Sequence, residues 1–346
     1  MIREGDGIKN RSIKLGIAYS FIHFSVETAC FYFIFSRFGT RPTWWAFALL
    51  FDALAFLPQN VIGIYSDRNL KKNIGLWGGV LMLISLFLQT DITALVLICI
   101  GNAMIHVSGA QYTLRGCSGK ITPNAIFVGG GSFGVITGQL LGALSNEYIV
   151  IIPLMLMAVS VLLMARIPSK TDVLTRDTGL DVAKDMPPMA LANLAFLAVA
   201  VRGYVAYAIP IEWNKTALQA IALFFFMGFG KMLGGILADR VGYRKTTYIS
   251  LLGGLPFLLF GNGNMWVSLF GIMLFSMTMP ITVAILVSAF PKMVGFAFGI
   301  TTVGLFAGVF PAFFVQPKGL LAHQILVVVL IALALPAIDL CIKKGK

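Results

Sequence analysis

The sequence predicts an all-α integral membrane protein with twelve transmembrane helices, arranged as two pseudo-symmetric six-helix bundles. Its composition is 58% hydrophobic and only 12% charged, whereas soluble domains are about half apolar and about a quarter charged. The apolar residues form runs of about twenty, the length a helix needs to cross about 30 Å of hydrocarbon. One polar loop also occurs twice, almost half a chain length apart. Helices are expected because lipid offers no hydrogen-bonding partner to an open backbone.

Twelve predicted spans follow one another along the chain, separated by short polar clusters. Their bounds are 13–36, 44–66, 74–90, 92–112, 122–145, 148–165, 188–210, 216–238, 246–262, 265–289, 293–315 and 321–341. The longest polar stretch separates the sixth span from the seventh. It divides the chain into an N-terminal six-helix bundle (1–166), a cytoplasmic linker (167–187) and a C-terminal six-helix bundle (188–346).

The basic residues predict the orientation of the chain. Of the 26 Lys and Arg residues, twenty lie at the ends of spans on the side that carries both termini, and four lie on the other side. Basic residues accumulate in cytoplasmic loops. The sequence therefore predicts a multi-pass protein of the cell (inner or plasma) membrane with both termini in the cytoplasm. The N-terminus lacks the pattern of a removable signal peptide, so we expect the first span to remain.

The net charge of +12 does not predict nucleic-acid binding, because the basic residues flank apolar spans. The four cysteines have no paired spacing, so they predict neither a disulfide nor a metal framework. We expect no cofactor and no metal site, and a monomer surrounded by membrane lipid.

The polar loop after the second span is repeated after the eighth. GIYSDRNLKKN (63–73) and GILADRVGYRK (235–245) align without gaps at an offset of 172 residues. Internal repeats are typical of transporters that move one bundle against the other around a central site. The aspartate can accept charge-assisted hydrogen bonds that form in one conformation and break in another. The residues predicted to form these gating loops are Gly63, Asp67, Arg68, Gly235, Asp239, Arg240 and Arg244.

The repeated Gly-x-x-x-Asp-Arg loop resembles the cytoplasmic loop motif of the major facilitator superfamily. The second copy is close to the full family pattern. The first copy has Leu70 where the family has glycine, and Lys71 and Lys72 where it has arginines. The resemblance covers the whole chain in span number and half-length. It implies the major facilitator fold and transport by alternating access.

Three further segments resemble fosmidomycin-resistance-type exporters of that superfamily. They are AYSFIHFSVETA in the first span, GNAMIHVSGA in the fourth and VGGGSFGVITGQLLG in the fifth. Glu27 stands where those exporters have aspartate, and Val107 stands where they have proline. The resemblance implies a clade of exporters, and it names no substrate.

Ionisable residues inside the predicted spans are candidates for function, because a charge near the bilayer centre costs at least about 2.5–3.5 kcal/mol on insertion scales. They are His23, Glu27, Asp52, His106, Arg202 and Lys231. His23 and Glu27 lie four residues apart, share one helix face, and predict a proton-coupling pair. The alternative is a buried hydrogen-bonded pair that only fixes helix packing.

The other four residues are predicted to bind the substrate: Arg202, Lys231, Asp52 and His106. In one mechanism, Arg202 and Lys231 hold an anionic or zwitterionic substrate while Glu27 and His23 carry protons. In the other, Glu27 and Asp52 bind a cationic amphiphile and the bases are counter-ions. An arginine near mid-membrane suits bidentate recognition of carboxylate or phosphate, which favours the first mechanism.

The sequence thus predicts a secondary active transporter rather than an enzyme, with a small-molecule substrate and protons as its partners. The favoured activity is proton-coupled export of a small organic anion, zwitterion or drug-like compound. The alternatives are a cation or multidrug–proton antiporter that uses Glu27 and Asp52, an uncoupled anion facilitator, and a non-transporting membrane receptor.

Glycines recur at four-residue spacing along the fifth span and again in the eleventh. Small residues at this spacing allow two helices to approach closely. The predicted packing glycines include Gly130, Gly134, Gly138 and Gly299. His323, at the outer start of the last span, is expected to lie at the membrane interface.

Overall fold

The computed structural model describes residues 4–115, 117–144, 146–167, 178–208 and 211–344. These parts of the chain contain fourteen α-helices. They are α1 (Glu4–Phe38), α2 (Trp44–Phe56), α3 (Pro58–Arg68), α4 (Ile74–Phe87), α5 (Asp91–Leu114), α6 (Thr122–Gly142), α7 (Ile151–Arg166), α8 (Pro188–Ala208), α9 (Ala217–Val241), α10 (Tyr243–Phe260), α11 (Met265–Ser276), α12 (Thr278–Ala289), α13 (Val294–Ala312) and α14 (Leu320–Cys341).

The fourteen helices make twelve membrane crossings, because two of the crossings are interrupted. The second crossing is α2 followed by α3, and the break at Leu57 precedes Pro58, which has no N–H to continue the helical hydrogen bonds. The tenth is α11 followed by α12, and the break at Met277 lies three residues before Pro280. The predicted number of spans is therefore confirmed.

Ten of the twelve crossings in the described chain are long and apolar enough to span a membrane, with α2–α3 and α11–α12 each counted as one. The other two crossings are α4, with 14 residues, and α10, with 18 residues. The first turn of α10 contains Arg244 and Lys245, which lower its hydropathy. We call the face of the molecule that carries both chain ends the inner face, and the opposite one the outer face.

Within the N-terminal half, α1 and α6 form the most extensive helix contact of the structure. A Cβ added to Gly130, Gly134, Gly138 or Gly142 would overlap the backbone of α1 on successive turns, at Ser20, Phe24, Thr28 and Tyr32. The two backbones are in contact along this row of four glycines, which we call the glycine ladder. The contact explains why these positions contain glycine rather than alanine.

Two helix pairs join the halves, and the repeat relates one pair to the other. α3 packs against α13, and α6 packs against α9. In the α3–α13 pair, Gly63 contacts the backbone of Gly295, and Gly299 contacts the backbone of Asn60. In the α6–α9 pair, Gly235 contacts the side chain of Ala125. These four helices therefore form most of the interface between the two bundles, and α2 and α5 add smaller contacts with α13.

The segment before α8 is attached to the end of the last helix. Ala183 and Ile342 form an isolated antiparallel β-bridge, and the N–H of Lys184 donates to the carbonyl of Cys341 at 2.7 Å. Residues 168–177 of the predicted linker lie outside the described residues.

Candidate functional site

A central cavity of about 340 Å³ lies between the two bundles. Its wall includes His23, Glu27 and Asp52 from the N-terminal half and Lys231 from the C-terminal half. A second cavity of about 310 Å³ adjoins it and shares some of its wall residues, which are Phe31, Phe51, Asp52 and Gln139. The second cavity also contacts Trp44 and Trp45 at the outer start of α2. The central cavity therefore leads toward the outer face.

Two histidines and a glutamate form a compact group on one wall of the cavity, which we call the triad: His23, Glu27 and His106. The Nε2 atoms of His23 and His106 lie 2.8 Å apart. Glu27 Oε1 lies 3.5 Å from His23 Nε2 and 3.2 Å from His106 Nε2. Each of the three residues is at most 8% exposed. The structure thus brings His106 to the pair that the sequence predicted.

Helical spacing and backbone carbonyls hold the triad in place. His23 and Glu27 are four residues apart on α1, and Asn102 and His106 are four apart on the facing α5. His23 Nδ1 lies 2.9 Å from the carbonyl of Phe127, and His106 Nδ1 lies 3.0 Å from that of Asn102. The Asn102 side-chain amide donates to Glu27 Oε1 at 3.3 Å. Asn102 was not among the predicted site residues, although it lies in the quoted GNAMIH segment.

The glycine-rich helix α6 makes room for this group. A Cβ at Gly131 would overlap the imidazole of His23. A larger residue there would push that ring away from His106. Gly131 therefore leaves the space that the His23 ring occupies, whereas the neighbouring glycine ladder contacts the backbone of α1.

Asp52 lies on α2 and lines both cavities. It is 5% exposed, and it makes no hydrogen bond to any other residue that the structure describes. Its carboxylate therefore faces the space between the bundles without a hydrogen-bond partner among the described residues.

The two predicted basic residues occupy different positions. Lys231 lines the cavity, and its Nζ donates to Ser132 Oγ at 2.8 Å. Arg202 is 8% exposed and donates to Thr282 Oγ1 at 3.3 Å. Its Nη2 is buried without a hydrogen-bond partner among the described residues. Arg202 is not among the described residues that line the cavity, so Lys231 carries the positive charge of the wall.

At the inner face, the two repeated aspartates each accept hydrogen bonds from the start of a helix in the opposite half. Asp67 accepts from the N–H groups of Gly295 and Phe296, at 3.0 and 2.9 Å. Asp239 accepts from the N–H groups of Ile121 and Thr122, at 3.0 and 2.8 Å. A carboxylate is stabilised there because the first N–H groups of a helix lack intrahelical partners.

Further contacts reinforce each aspartate. Asp67 Oδ1 forms a buried ion pair with Arg115 at 3.1 Å and accepts from the Gln111 amide at 2.7 Å. Asp239 Oδ2 accepts from the Thr122 hydroxyl at 2.6 Å. Arg115, Gln111 and Thr122 were not among the predicted residues, and Arg115, just after the fourth span, is the one that its charge could have indicated.

The arginines of the two loops are placed differently. Arg244 forms a bidentate ion pair with Asp339 on α14, at 2.5 and 2.8 Å. Arg68 and Arg240 are exposed and make no hydrogen bond or ion pair to another described residue.

The third histidine lies inside the protein, near the outer start of α14. His323 is fully buried, and its Nε2 lies 3.0 Å from the carbonyl of Leu258. α14 turns this side chain toward α10 rather than toward lipid, and its expected position at the membrane interface stays a prediction.

The fold is similar to that of solved major facilitator transporters. No family model matches the chain, and no curated protein matches its sequence. One similar structure is a major facilitator superfamily transporter, FucP, in the outward conformation, with a TM-score of 0.62, 12% identity, and coverage of 94% of this chain and 97% of that one. Another is a variant of the E. coli fucose:proton symporter FucP, with a TM-score of 0.63, 13% identity, and coverage of 94% and 98%.

These similarities confirm the predicted fold class, two pseudo-symmetric six-helix bundles with the major facilitator fold. They give no support to the narrower resemblance to fosmidomycin-resistance-type exporters.

Proposed function

We propose that this protein is a secondary active transporter that works by alternating access, and that the structure represents its outward-open conformation. The observation that carries the proposal is the arrangement of the space between the bundles. The central cavity adjoins a second cavity on the outer side, while helix pairs α3–α13 and α6–α9 meet at the inner face. One of the similar transporters has been crystallised in the outward conformation.

In this proposal the repeated loops are the inner gate. Asp67 and Asp239 each hold the first N–H groups of a helix from the other half. Opening the inner face would separate these pairs, so the hydrogen bonds favour the outward-open state. With both termini in the cytoplasm, as the basic residues predict, this gate closes the cytoplasmic side.

The favoured substrate is a small organic anion or zwitterion. Lys231 is bonded to a neutral hydroxyl and forms no ion pair with a described residue, so its charge is free to attract an anionic group. Arg202, buried without a partner for one of its nitrogens, adds positive charge on the same half. The direction proposed is export.

Protons are the proposed coupling ion, with Glu27, His23 and His106 as the residues that carry them. All three line the cavity, where protons from the outer side reach them. Proton movement into the cell would then drive the substrate outward.

The experiment uses the purified chain in liposomes, with uptake or release of small radiolabelled carboxylates after a pH gradient is imposed. We expect transport that depends on the gradient and that Lys231→Gln reduces at least about tenfold, the change that 1.4 kcal/mol of lost binding produces. Lys215→Gln, in an exposed outer loop, is the matched control. Transport unaffected by the gradient would contradict coupling and leave a facilitator.

A second candidate is a cation–proton antiporter, and the position of Asp52 favours it. Its carboxylate faces both cavities without a hydrogen bond to a described residue, as a site for a cationic amphiphile would require. The same liposomes, loaded with the cationic dye ethidium, distinguish the two. Efflux of the dye that Asp52→Asn abolishes and Lys231→Gln leaves intact would replace the anion proposal.

A further inference from the structure

The triad has a feature that a packing role does not explain: three electron-pair donors converge on one point. Each backbone carbonyl next to a triad histidine can only accept a hydrogen bond. His23 Nδ1 and His106 Nδ1 must therefore both carry hydrogen, because they face the carbonyls of Phe127 and Asn102. In the neutral rings, each Nε2 atom then carries a lone pair and no hydrogen, and the two Nε2 atoms are only 2.8 Å apart.

The glutamate adds a third donor to the same point. Glu27 Oε1 lies within 3.5 Å of both Nε2 atoms. Three lone pairs at these separations repel one another unless a positively charged species lies between them. The group is thus built around a cation.

The separations match those of three ligands on one transition-metal ion. Zinc bonds to imidazole nitrogen and carboxylate oxygen are about 2.0–2.2 Å long, so ligand atoms in a tetrahedral site lie about 3.3 Å apart. The three distances here are 2.8, 3.2 and 3.5 Å. An ion placed among these atoms would reach all three with small side-chain movements.

The surroundings also have the form of a metal site. Metal-binding histidines donate their second ring N–H to a carbonyl or carboxylate, which fixes the ring and its tautomer. Both histidines do so here, and the Asn102 amide holds Glu27 in the same way. Two imidazoles with one carboxylate suit zinc and other divalent first-row metals, rather than Ca²⁺ or Mg²⁺, which prefer oxygen ligands.

We propose that His23 Nε2, His106 Nε2 and Glu27 Oε1 bind one divalent transition-metal ion such as Zn²⁺, with a fourth coordination position open to the central cavity. All three residues line that cavity, so the ion arrives from the outer side. The open position accepts water or an anionic group of a bound molecule. The cysteines, whose spacing predicts no metal site, take no part in this group.

The proposal goes beyond the proposed function and does not depend on it. A metal ion and a proton need the same lone pairs, so they exclude one another at the triad. Binding is measured at equilibrium, without transport, and its failure would leave the transport proposal untouched.

The test uses the full-length chain in detergent, with any histidine tag removed, and Zn²⁺ alone as the probe in titration calorimetry. We expect one high-affinity ion per chain. His106→Gln and Glu27→Gln should each lower the affinity by at least about 100-fold, because loss of a supporting partner alone costs about 10–100-fold. Asn102→Ala removes the amide on Glu27 but keeps the carbonyl on His106, and should cost about tenfold.

His323→Gln is the matched control, because it removes the one histidine outside the triad and keeps a side-chain donor for Leu258. It should bind zinc as the parent chain does, and zinc should raise the melting temperature of both. Absence of binding by the parent chain would overturn the proposal. Equal losses in His323→Gln and His106→Gln would overturn it as well.

Co²⁺ provides a second measurement that uses only the parent chain, so its result does not depend on whether the variants fold. The parent chain should give the intense visible absorption of a four-coordinate Co²⁺ site, and Zn²⁺ should displace it. A weak, six-coordinate spectrum from the parent chain would contradict a site with three protein ligands and one open position.

Discussion

The two inner loops descend from the same repeat, yet the structure stabilises them in different ways. Asp67 is held by a buried ion pair with Arg115 in its own half, in addition to the helix start it contacts. Asp239 has no arginine partner within the described chain, and the hydroxyl of Thr122 takes that role. The copy that departs more from the family sequence pattern therefore has the stronger electrostatic support, which comes from a residue outside the motif.

The turns that follow the aspartates differ as well. Gly242 has a φ of 99°, so α10 begins at the next residue after a tight turn. The corresponding residue in the first copy is Leu70, and there the chain uses residues 69–73 before α4 begins. A leucine is compatible with the first copy because no residue of its wider turn has a positive φ. Motif residues are thus required only where the local backbone demands them.

Removing the carboxylates should have the largest effect and should separate the two copies. Asp67→Ala leaves Arg115 buried without its counter-ion, which costs about 3–5 kcal/mol of unfolding free energy. Asp239→Ala leaves no buried charge unpaired, so it should cost less. Thermal unfolding in detergent measures the difference. A larger loss for Asp239→Ala would contradict this comparison, and Arg115→Met in the Asp67→Ala background should recover part of the loss.

Removing the hydroxyl partner should have a smaller effect, confined to the second copy. Thr122→Val keeps the shape of the side chain and deletes one hydrogen bond to a charged oxygen, worth about 1.5–3 kcal/mol. The melting temperature should fall. Labelling of a cysteine introduced at the inner end of the cavity should increase, because the inner gate opens more often. Unchanged labelling together with a lower melting temperature would restrict Thr122 to a structural role.

Exchanging the turn residues should reveal the different backbones. Gly242→Ala places a side chain at φ 99° and ψ 152°, a backbone region that is essentially restricted to glycine, which costs about 1–3 kcal/mol. Leu70→Gly should change the melting temperature little, because its turn is already formed without a left-handed residue. If both substitutions lowered the melting temperature equally, the two turns would need the same conformation.

The smallest expected effect concerns one pair of equivalent basic residues, Arg244 in the second loop and Lys72 in the first. Arg244 pairs with Asp339 on α14, whereas the corresponding Lys72 donates to Tyr65 in its own half at 2.7 Å. Both contacts lie near the protein surface, where water screens charge, so Arg244→Gln should lower the melting temperature slightly and Lys72→Gln still less. A melting temperature that falls with Arg244→Gln only at low salt would identify the ion pair as the cause.

The candidate site was predictable only in part. His23 and Glu27 share one helix face by their spacing alone, so their pairing follows from local geometry. His106 lies 83 residues from His23 along the chain. Its place in the triad depends on how α5 is rotated about its axis, and a glycine at position 131 is needed to admit the His23 ring. Arg202 is the opposite case. Its depth along the seventh span predicted a position in the cavity, but the rotation of its helix turns the side chain away from the described cavity wall.

The sequence by itself determined the number of spans and the two related halves, because hydropathy and repeats are read along the chain and depend on local composition. The tertiary structure alone decided which polar side chains meet. Asp67 meets Arg115, Asp239 meets Thr122, and the triad assembles from α1 and α5. These contacts depend on helix rotation and close glycine packing, since a helix exposes several faces and only its neighbours determine which face lines the cavity.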